Sequence, residues 1–357
     1  PKPRIRPLEA IPVEAEDQAL VILRDPFHFV EDALTVSVPV YLLLTLMDGT
    51  RTIFEVQQAF KEQYGGQVAA NELEALIQEL DEHYLMDTNR FRAFQKKTIA
   101  DFKQTSVRKA AHAGSAYAAD PAELSAQLDV FSAPAKSKKS GLLGPDGLPL
   151  ANPEADDDSP PGLWLQSADA PGSLPARDVR PAGPVRALMA PHIDPRVGGR
   201  CAASAYAFLN YSKMLPDLYV IFGTAHQPAD SLFILTNKSF ETPLGTVVVN
   251  RQAANDLQAL YPANLTNNEF LHKHEHSIEF QLIFLQHLHA QRARLQGGSP
   301  DFEILPILVS SFHEFLEQNL IPSSQEIFND FVGALREALR KSGRRACFIA
   351  GADLSHM

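Results

Sequence analysis

Leu218-Tyr-Val-Ile-Phe-Gly-Thr-Ala-His226 is a run of five apolar residues, then a glycine, then a histidine three residues further on. Its aromatic and β-branched content predicts a buried strand over Leu218 to Phe222. Gly223 lets the backbone pass close to whatever covers the strand's end. A buried strand that hands over an imidazole at its C-terminal end is the way an open α/β sheet builds a ligand site. The arrangement recurs twice. Val185 to Met189 runs into Ala190-Pro-His-Ile-Asp194, and Ala346 to Ala350 runs into Gly351-Ala-Asp-Leu-Ser-His356. Phe233 to Leu235, Val247 to Val249 and Phe302 to Val309 read as further strands, and Gly199 to Leu209, Arg251 to Leu260, Ser277 to Ala290 and Gln325 to Lys341 as helices. This alternation predicts an α/β sheet with helices on its faces.

If the strands are parallel neighbours, His192, His226, Asp353 and His356 converge at one sheet edge, where imidazole and carboxylate suit a transition metal or acid/base chemistry. The expectation is that His192 and His226 are ligands, Asp353 a ligand or orienter, and His276 or His356 the acid/base. His276 belongs to His274-Glu-His-Ser-Ile-Glu279 at the start of a helix, whose N-terminus lowers the pKa of a nearby imidazole and keeps it neutral. Glu279 is expected on the same face, orienting it. The plainer alternative is a solvated cap in which Ser277 and Glu279 satisfy the first amides. His287 and His289 read as helix-surface residues. Cys201 falls among small residues at a helix entry, where close packing on a sheet is a better reading than a nucleophile. Neither a phosphate-binding glycine loop nor a G-x-S-x-G elbow is present.

The first hundred residues read differently. Two strand-like runs, Ala19 to Leu23 and Leu34 to Val38, precede an apolar helix around Val40 to Met47. Thr52 with Glu55 forms a capping box for a helix over Ile53 to Gln63. Asn71 with Glu74 repeats it for a third helix with an apolar face of Leu73, Leu76, Ile77 and Leu80. Between Ala133 and Gly183 the composition turns to Pro, Gly, Ser, Lys and Asp, which predicts a mobile insertion. Trp164 inside it is either a docking spot or a casually exposed aromatic.

The 357 residues are 45% hydrophobic and carry a net charge of -11, enough for about two domains with sizeable cores and no field that would seek phosphate. Nucleic acid is therefore not expected as a partner. Two cysteines, Cys201 and Cys347, give no disulfide framework, so a reducing cytoplasm is the expected compartment. The longest apolar stretch, Val38 to Met47, is far short of the ~20 residues a membrane helix needs, and no signal-peptide h-region precedes it. The chain opens on Pro1 rather than Met, the mark of a fragment or a processed chain.

Taken together, His112-Ala-Gly-Ser-Ala-Tyr117, the stretch Ala190 to Tyr206, Gly223-Thr-Ala-His-Gln227, Thr242-Pro-Leu-Gly245, Glu275-His-Ser-Ile-Glu279, Ile304 to Val309 and Ala352-Asp-Leu-Ser-His356 resemble the Memo family, protein B of the AmmeMemoRadiSam system. The resemblance implies a fold like that of class III extradiol dioxygenases over 107–357, with a pocket of His, Asp and Cys. It also implies redox chemistry with Fe(II) or Cu(I), and partnership with a radical SAM protein and other components of that system. By position His192, Asp353, His356 and His276 match pocket residues of the family. His226 matches the first of a His-His pair whose second member, the usual ligand, is Gln227 here; an amide is a poorer ligand for a transition metal. A Memo domain normally continues past the Asp-x-x-His motif to a Cys ligand, so either the chain is truncated or another polypeptide completes the fold. Residues 1–100, through Leu44 to Phe54 and Leu76 to Leu80, resemble the small winged-helix fold of PqqD-type peptide-recognition domains. A generic helical accessory domain is the alternative. Two functions stand open: a metal-dependent redox enzyme, or a non-enzymatic protein that uses the same pocket to bind a peptide or ligand. Limited proteolysis is expected to cut first between Ala133 and Gly183; a first cut within the α/β sheet region would show that composition misjudges the insertion.

Overall fold

The computed structural model describes residues 2–15, 18–133 and 183–353, so Trp164, nearly all of the Pro-rich insertion and His356 lie outside the described residues. Two compact units divide the chain, Pro1–Thr105 and Ser106–Met357.

In the first unit β1 (Glu9–Ala15), β2 (Gln18–Arg24) and β3 (Leu34–Ser37) form an antiparallel sheet in that order. Four helices follow: α1 (Val38–Thr45), α2 (Ile53–Tyr64), α3 (Ala70–Glu82) and α4 (Asn89–Gln104). The capping box of α2 is present, Glu55 N donating to Thr52 and Thr52 N donating to Glu55 Oε2 at 2.7 Å. The reading for α3 was displaced by one residue or two: Glu72, not Glu74, reaches back, accepting from Ala69 N at 3.0 Å, and Asn71 lies inside the helix. Ala69 offers no side-chain acceptor, which is why the sequence pointed past it. A buried ion pair closes the unit. Arg6 Nη2 lies 2.7 Å from Asp25 Oδ2, both side chains being almost fully enclosed. The Arg6 guanidinium also sits 3.6 Å over the Phe91 ring, and Asp25 accepts from the amides of Phe27, Phe29 and Val30.

The second unit begins with β4 (Val107–Arg108), α5 (Pro121–Ser132), β5 (Ala187–Ala190), α6 (Pro195–Ala207) and β6 (Leu218–Thr224). It continues through β7 (Phe233–Leu235), β8 (Ser239–Thr242), β9 (Gly245–Val249), α7 (Arg251–Leu260) and the 21-residue α8 (His276–Gln296). β10 (Glu303–Val309), α9 (His313–Glu317), α10 (Glu326–Ser342) and β11 (Ala346–Gly351) complete it. The sheet order is β4-β8-β9-β10-β6-β11-β5, with β7 also paired to β10. From β9 to β5 every neighbouring pair along that order is parallel. β6, β11 and β5 are therefore adjacent and end on the same side of the sheet.

Because both faces are covered, β6 is continuously apolar from Leu218 to Phe222 rather than alternating. Tyr219 and Ile221 face the core made with α6 and α8, whereas Leu218 and Val220 face the core made with α7 and α10. α6 starts four residues before the predicted point, because Asp194 caps it by accepting from Arg196 N at 2.8 Å. Cys201 consequently sits mid-helix and exposed, with no helix terminus to activate its thiol.

Two glycines let the start of α8 settle on the strand ends. A Cβ on Gly223 would come 2.5 Å from Ser277 Oγ, and one on Gly351 would come 2.8 Å from Ser277 O. Ser277 Oγ uses that proximity to donate to Thr224 O at 2.9 Å. Gly223→Ala must push back both Ser277 and Ile278, whose Cγ1 would lie 2.7 Å from the added carbon. We predict a loss of about 1–3 kcal/mol, the usual cost of overpacking, measured as a lower urea midpoint for the second unit; an unchanged midpoint would show that α8 can lift off without cost.

Candidate metal centre

The strand ends place the predicted residues as follows. His192 stands two residues beyond β5, His226 two beyond β6, and His276 opens α8. Their imidazoles converge: one ligand nitrogen from each lies within 4.8 Å of the others. The ring centroids of His226 and His276 are 4.6 Å apart and nearly stacked, and His192 stands edge-on to both at 5.0 and 5.5 Å. His192 is buried and His276 half-buried, while His226 opens to solvent, so the cluster has one wet side. Asp353, two residues beyond β11, adjoins it. Its Oδ1 accepts from His192 N at 3.0 Å and its Oδ2 lies 3.7 Å from His192 Nε2. His356, the third member of the expected grouping with His192 and His226, lies outside the described residues; among the described residues His276 joins the other two.

Two of the imidazoles have their free nitrogen selected by a partner. His192 Nδ1 lies 2.8 Å from Gly351 O. A carbonyl only accepts, so Nδ1 carries the proton and Nε2 keeps the lone pair. Glu275 does the same for His226 and lies close to His276. Its carboxylate lies 3.1 Å from His226 Nδ1 and 3.3 Å from His276 Nδ1. It also accepts from the amides of His226, at 3.1 Å, and Ser277, at 2.9 Å. Burial alone would raise the Glu275 pKa, but the His226 hydrogen bond and charge, then His276 and the Ser277 amide, outweigh it and hold the carboxyl at about 2. The hydrogen bond to Glu275 in turn raises the His226 pKa, against its partial burial. His276 falls to about 4, chiefly through desolvation, with the neighbouring histidines opposing a second charge and Glu275 favouring one. A neutral His276 with its lone pair on Nε2 is the state a metal ligand requires.

Glu279 takes a different part from the one the sequence suggested. It points away from His276 and is fully buried against Arg108, with further bonds from Tyr117 Oη and from the amides of Ala111 and His112, each of these two at 3.0 Å. The residue that orients the histidines is Glu275, four positions earlier. The clue in the sequence was its place between two histidines at the N-cap, where a carboxylate accepts from the first amides.

His287 and His289 are not surface residues. His289 Nε2 bonds Tyr219 Oη at 2.8 Å, and His287 Nε2 bonds Asp129 Oδ1 at 3.0 Å, both rings being buried. α8 is enclosed on nearly all sides, so its polar positions face neighbours rather than water. Another inward histidine, His272, donates from Nε2 to Ile234 O, 3.1 Å away.

Two strand-end imidazoles and one from a helix start thus gather on a doubly covered, mostly parallel sheet, an architecture consistent with the extradiol-dioxygenase-like fold. The profile of the Memo-like protein family matches residues 174–357, just over half of the chain, and the chain belongs to that family. It is 26% identical to a MEMO1 family protein of Aquifex aeolicus over 289 residues, 81% of this chain and 62% of that protein. A MEMO1 family protein of Thermus thermophilus is 26% identical over 311 residues, 87% and 73% of the two chains, and one of Methanosarcina barkeri is 33% identical over 166 residues, 46% and 52%. The chain thus spans between half and two-thirds of the Aquifex and Methanosarcina proteins. The Aquifex and Thermus matches are longer than Ser106–Met357, so they reach into the first unit. No helix among the described residues is long and apolar enough to cross a membrane.

Acid stability tests the buried histidines. Desolvation lowers the His289 pKa from 6.5 to about 4 and the His272 pKa to about 3. Between those values the unfolded chain binds protons that the folded chain does not, so stability is complete above about pH 6.5 and is lost as the pH falls toward 4. His289→Gln is expected to flatten the fall of the urea midpoint across that window; a profile as steep as wild type would show that His289 is not held neutral.

Proposed function

We propose that the second unit holds one transition-metal ion on His192, His226 and His276, with Asp353 beside the site, and that the family's function in this chain is metal-dependent redox chemistry on iron or copper. The observation that carries this is the convergence of the three imidazoles, one ligand nitrogen of each within 4.8 Å of the others, with Nδ1 of His192 held by Gly351 O and Nδ1 of His226 by Glu275. Imidazole donors suit iron, copper and zinc alike. The ion would supply a Lewis-acidic, redox-capable centre. The chain's own groups would do the rest: Glu275 keeps the His226 ring aimed, burial keeps His276 unprotonated, and the wet side at His226 admits a small ligand. His356, three residues after Asp353 in the sequence, remains our candidate for an acid/base.

A second reading has the same pocket binding a peptide or ligand without chemistry, with the first unit recruiting a peptide for a radical SAM partner. Gln227, in place of the family's usual ligand, favours it, as do the open edges that β1 and β3 give the small sheet.

Anaerobic titration of the metal-free protein with Fe(II), and separately with Cu(I), tests the site. Saturation at one ion per chain is expected. Glu275→Gln should weaken binding by roughly 10–100-fold, as loss of an outer partner does, and His192→Ala by more. Affinity should also fall as the pH drops through the raised His226 pKa, above 6.5, because the ion must displace that proton. An affinity unaffected by His192→Ala would sink the assignment and leave the binding-protein reading.

A further inference from the structure

The family profile begins at residue 174, yet one histidine well before it stands in the site. The ring centroid of His112 is 5.6 Å from that of His276, edge-on at 78°, and 5.6 Å from that of Phe280. His276 is thus walled by four rings: His226 stacked at 4.6 Å, Phe280 at 5.1 Å, His192 and His112. His112 is itself fixed at two points. Its Nε2 lies 2.8 Å from His274 O and so carries the proton, and its backbone N donates to Glu279 Oε1 at 3.0 Å. Glu279 and His274 belong to the same turn and helix start that carry His276.

We propose that His112 is a positioning residue of the metal site, acting through His276; the proposal rests on the metal-site reading above. The Glu275 carboxylate restrains only one edge of the His276 ring, at 3.3 Å, and a single contact of that length leaves the ring free to swing about its side-chain bonds. His112 closes the direction that contact leaves open. It does so without needing the histidine's charge, because its ring edge makes the contact and its Nε2–H is held by a carbonyl.

Two measurements separate this from the metal reading. Co(II) titration, followed by its visible ligand-field absorption, reads the site when loaded; the two-bond 1H–15N spectrum of the imidazoles reads His276 in metal-free protein. For His112→Ala we expect Co(II) affinity 10–100-fold weaker, a changed band, and a His276 that averages two tautomers where wild type shows one with the proton on Nδ1. His112→Phe, which keeps a ring edge, should recover part of the affinity and the single tautomer. His112→Ala with wild-type affinity, band and tautomer would overturn the proposal. So would loss of affinity in both variants in step with a lowered Tm, since that is a general packing role. Wild type that fails to take up Co(II) would count against the metal reading alone, and the metal-free spectra would still decide whether His112 holds His276.

Discussion

A guanidinium and a carboxylate, both wholly excluded from water, organise the second unit: Arg108 against Glu279. The two residues come from distant parts of the chain, and Arg108 uses the rest of its donors on the same turn. Its Nε donates to His272 O at 2.9 Å and its Nη2 to Glu275 O at 2.8 Å. One planar fork therefore fixes the carbonyls on either side of His274 and the first turn of α8. Burying such a pair is costly in itself, and its worth depends on every donor and acceptor being met. Here they are, since Tyr117 and two backbone amides complete the carboxylate. The Arg108 charge keeps the Glu279 pKa below its usual value although burial, the larger influence, pushes it up. Taking away one partner would strand the other as a buried charge, typically at about 3–5 kcal/mol. A well-packed apolar pair could restore stability, but it would not hold the two carbonyls, and the turn bearing Glu275 and His276 would lose its shape.

The strands of the parallel sheet were legible because burial on both faces writes itself as a continuous apolar run. Leu218 to Phe222 and Ala346 to Ala350 start where the observed strands do and needed only two further residues and one, at their C-terminal ends. The elements that escaped are those whose cause is not local. β4 and β8 are short strands paired through the backbone, and β1 is a mostly exposed strand containing Pro12. α4 buries only Phe91 and Phe102 among its charges, a pattern too sparse to read as a face. The site divided in the same way. Histidines at strand ends could be found from chain order, whereas the choice between Glu275 and Glu279 depended on Arg108, which lies far away in sequence and in a strand that could not be seen. His287 and His289 were misjudged for a related reason: α8 is polar and apolar all round, so no face of it marks the outside, and only packing against α5 and β6 shows both rings to be inside.

The carboxylate of Glu275 also explains why two imidazoles of the cluster, His226 and His276, differ in charge preference. A carboxylate shared between two rings cannot favour a proton on both equally, since the second charge would face the first. Glu275 approaches His226 with both oxygens and with the backbone amide in register, and His276 with one oxygen at longer range. His226 also reaches water. The proton accordingly prefers His226, and His276 is left neutral among rings.

Gln227 bears on this arrangement less than its place in the sequence implied. The family pattern makes the residue at 227 the usual ligand, so an amide there pointed to a weakened site. In the structure the imidazole that joins His192 and His276 is that of His226, anchored through both its amide and its Nδ1 to Glu275. That double hold ties the backbone just past β6 to the N-cap of α8, and it can form only because Gly223 and Gly351 let the helix start approach the strand ends. The third imidazole comes from the start of α8, and the three ligand nitrogens that lie within 4.8 Å of one another do so without residue 227. The substitution of histidine by glutamine then alters the rim of the site and leaves its imidazole count intact.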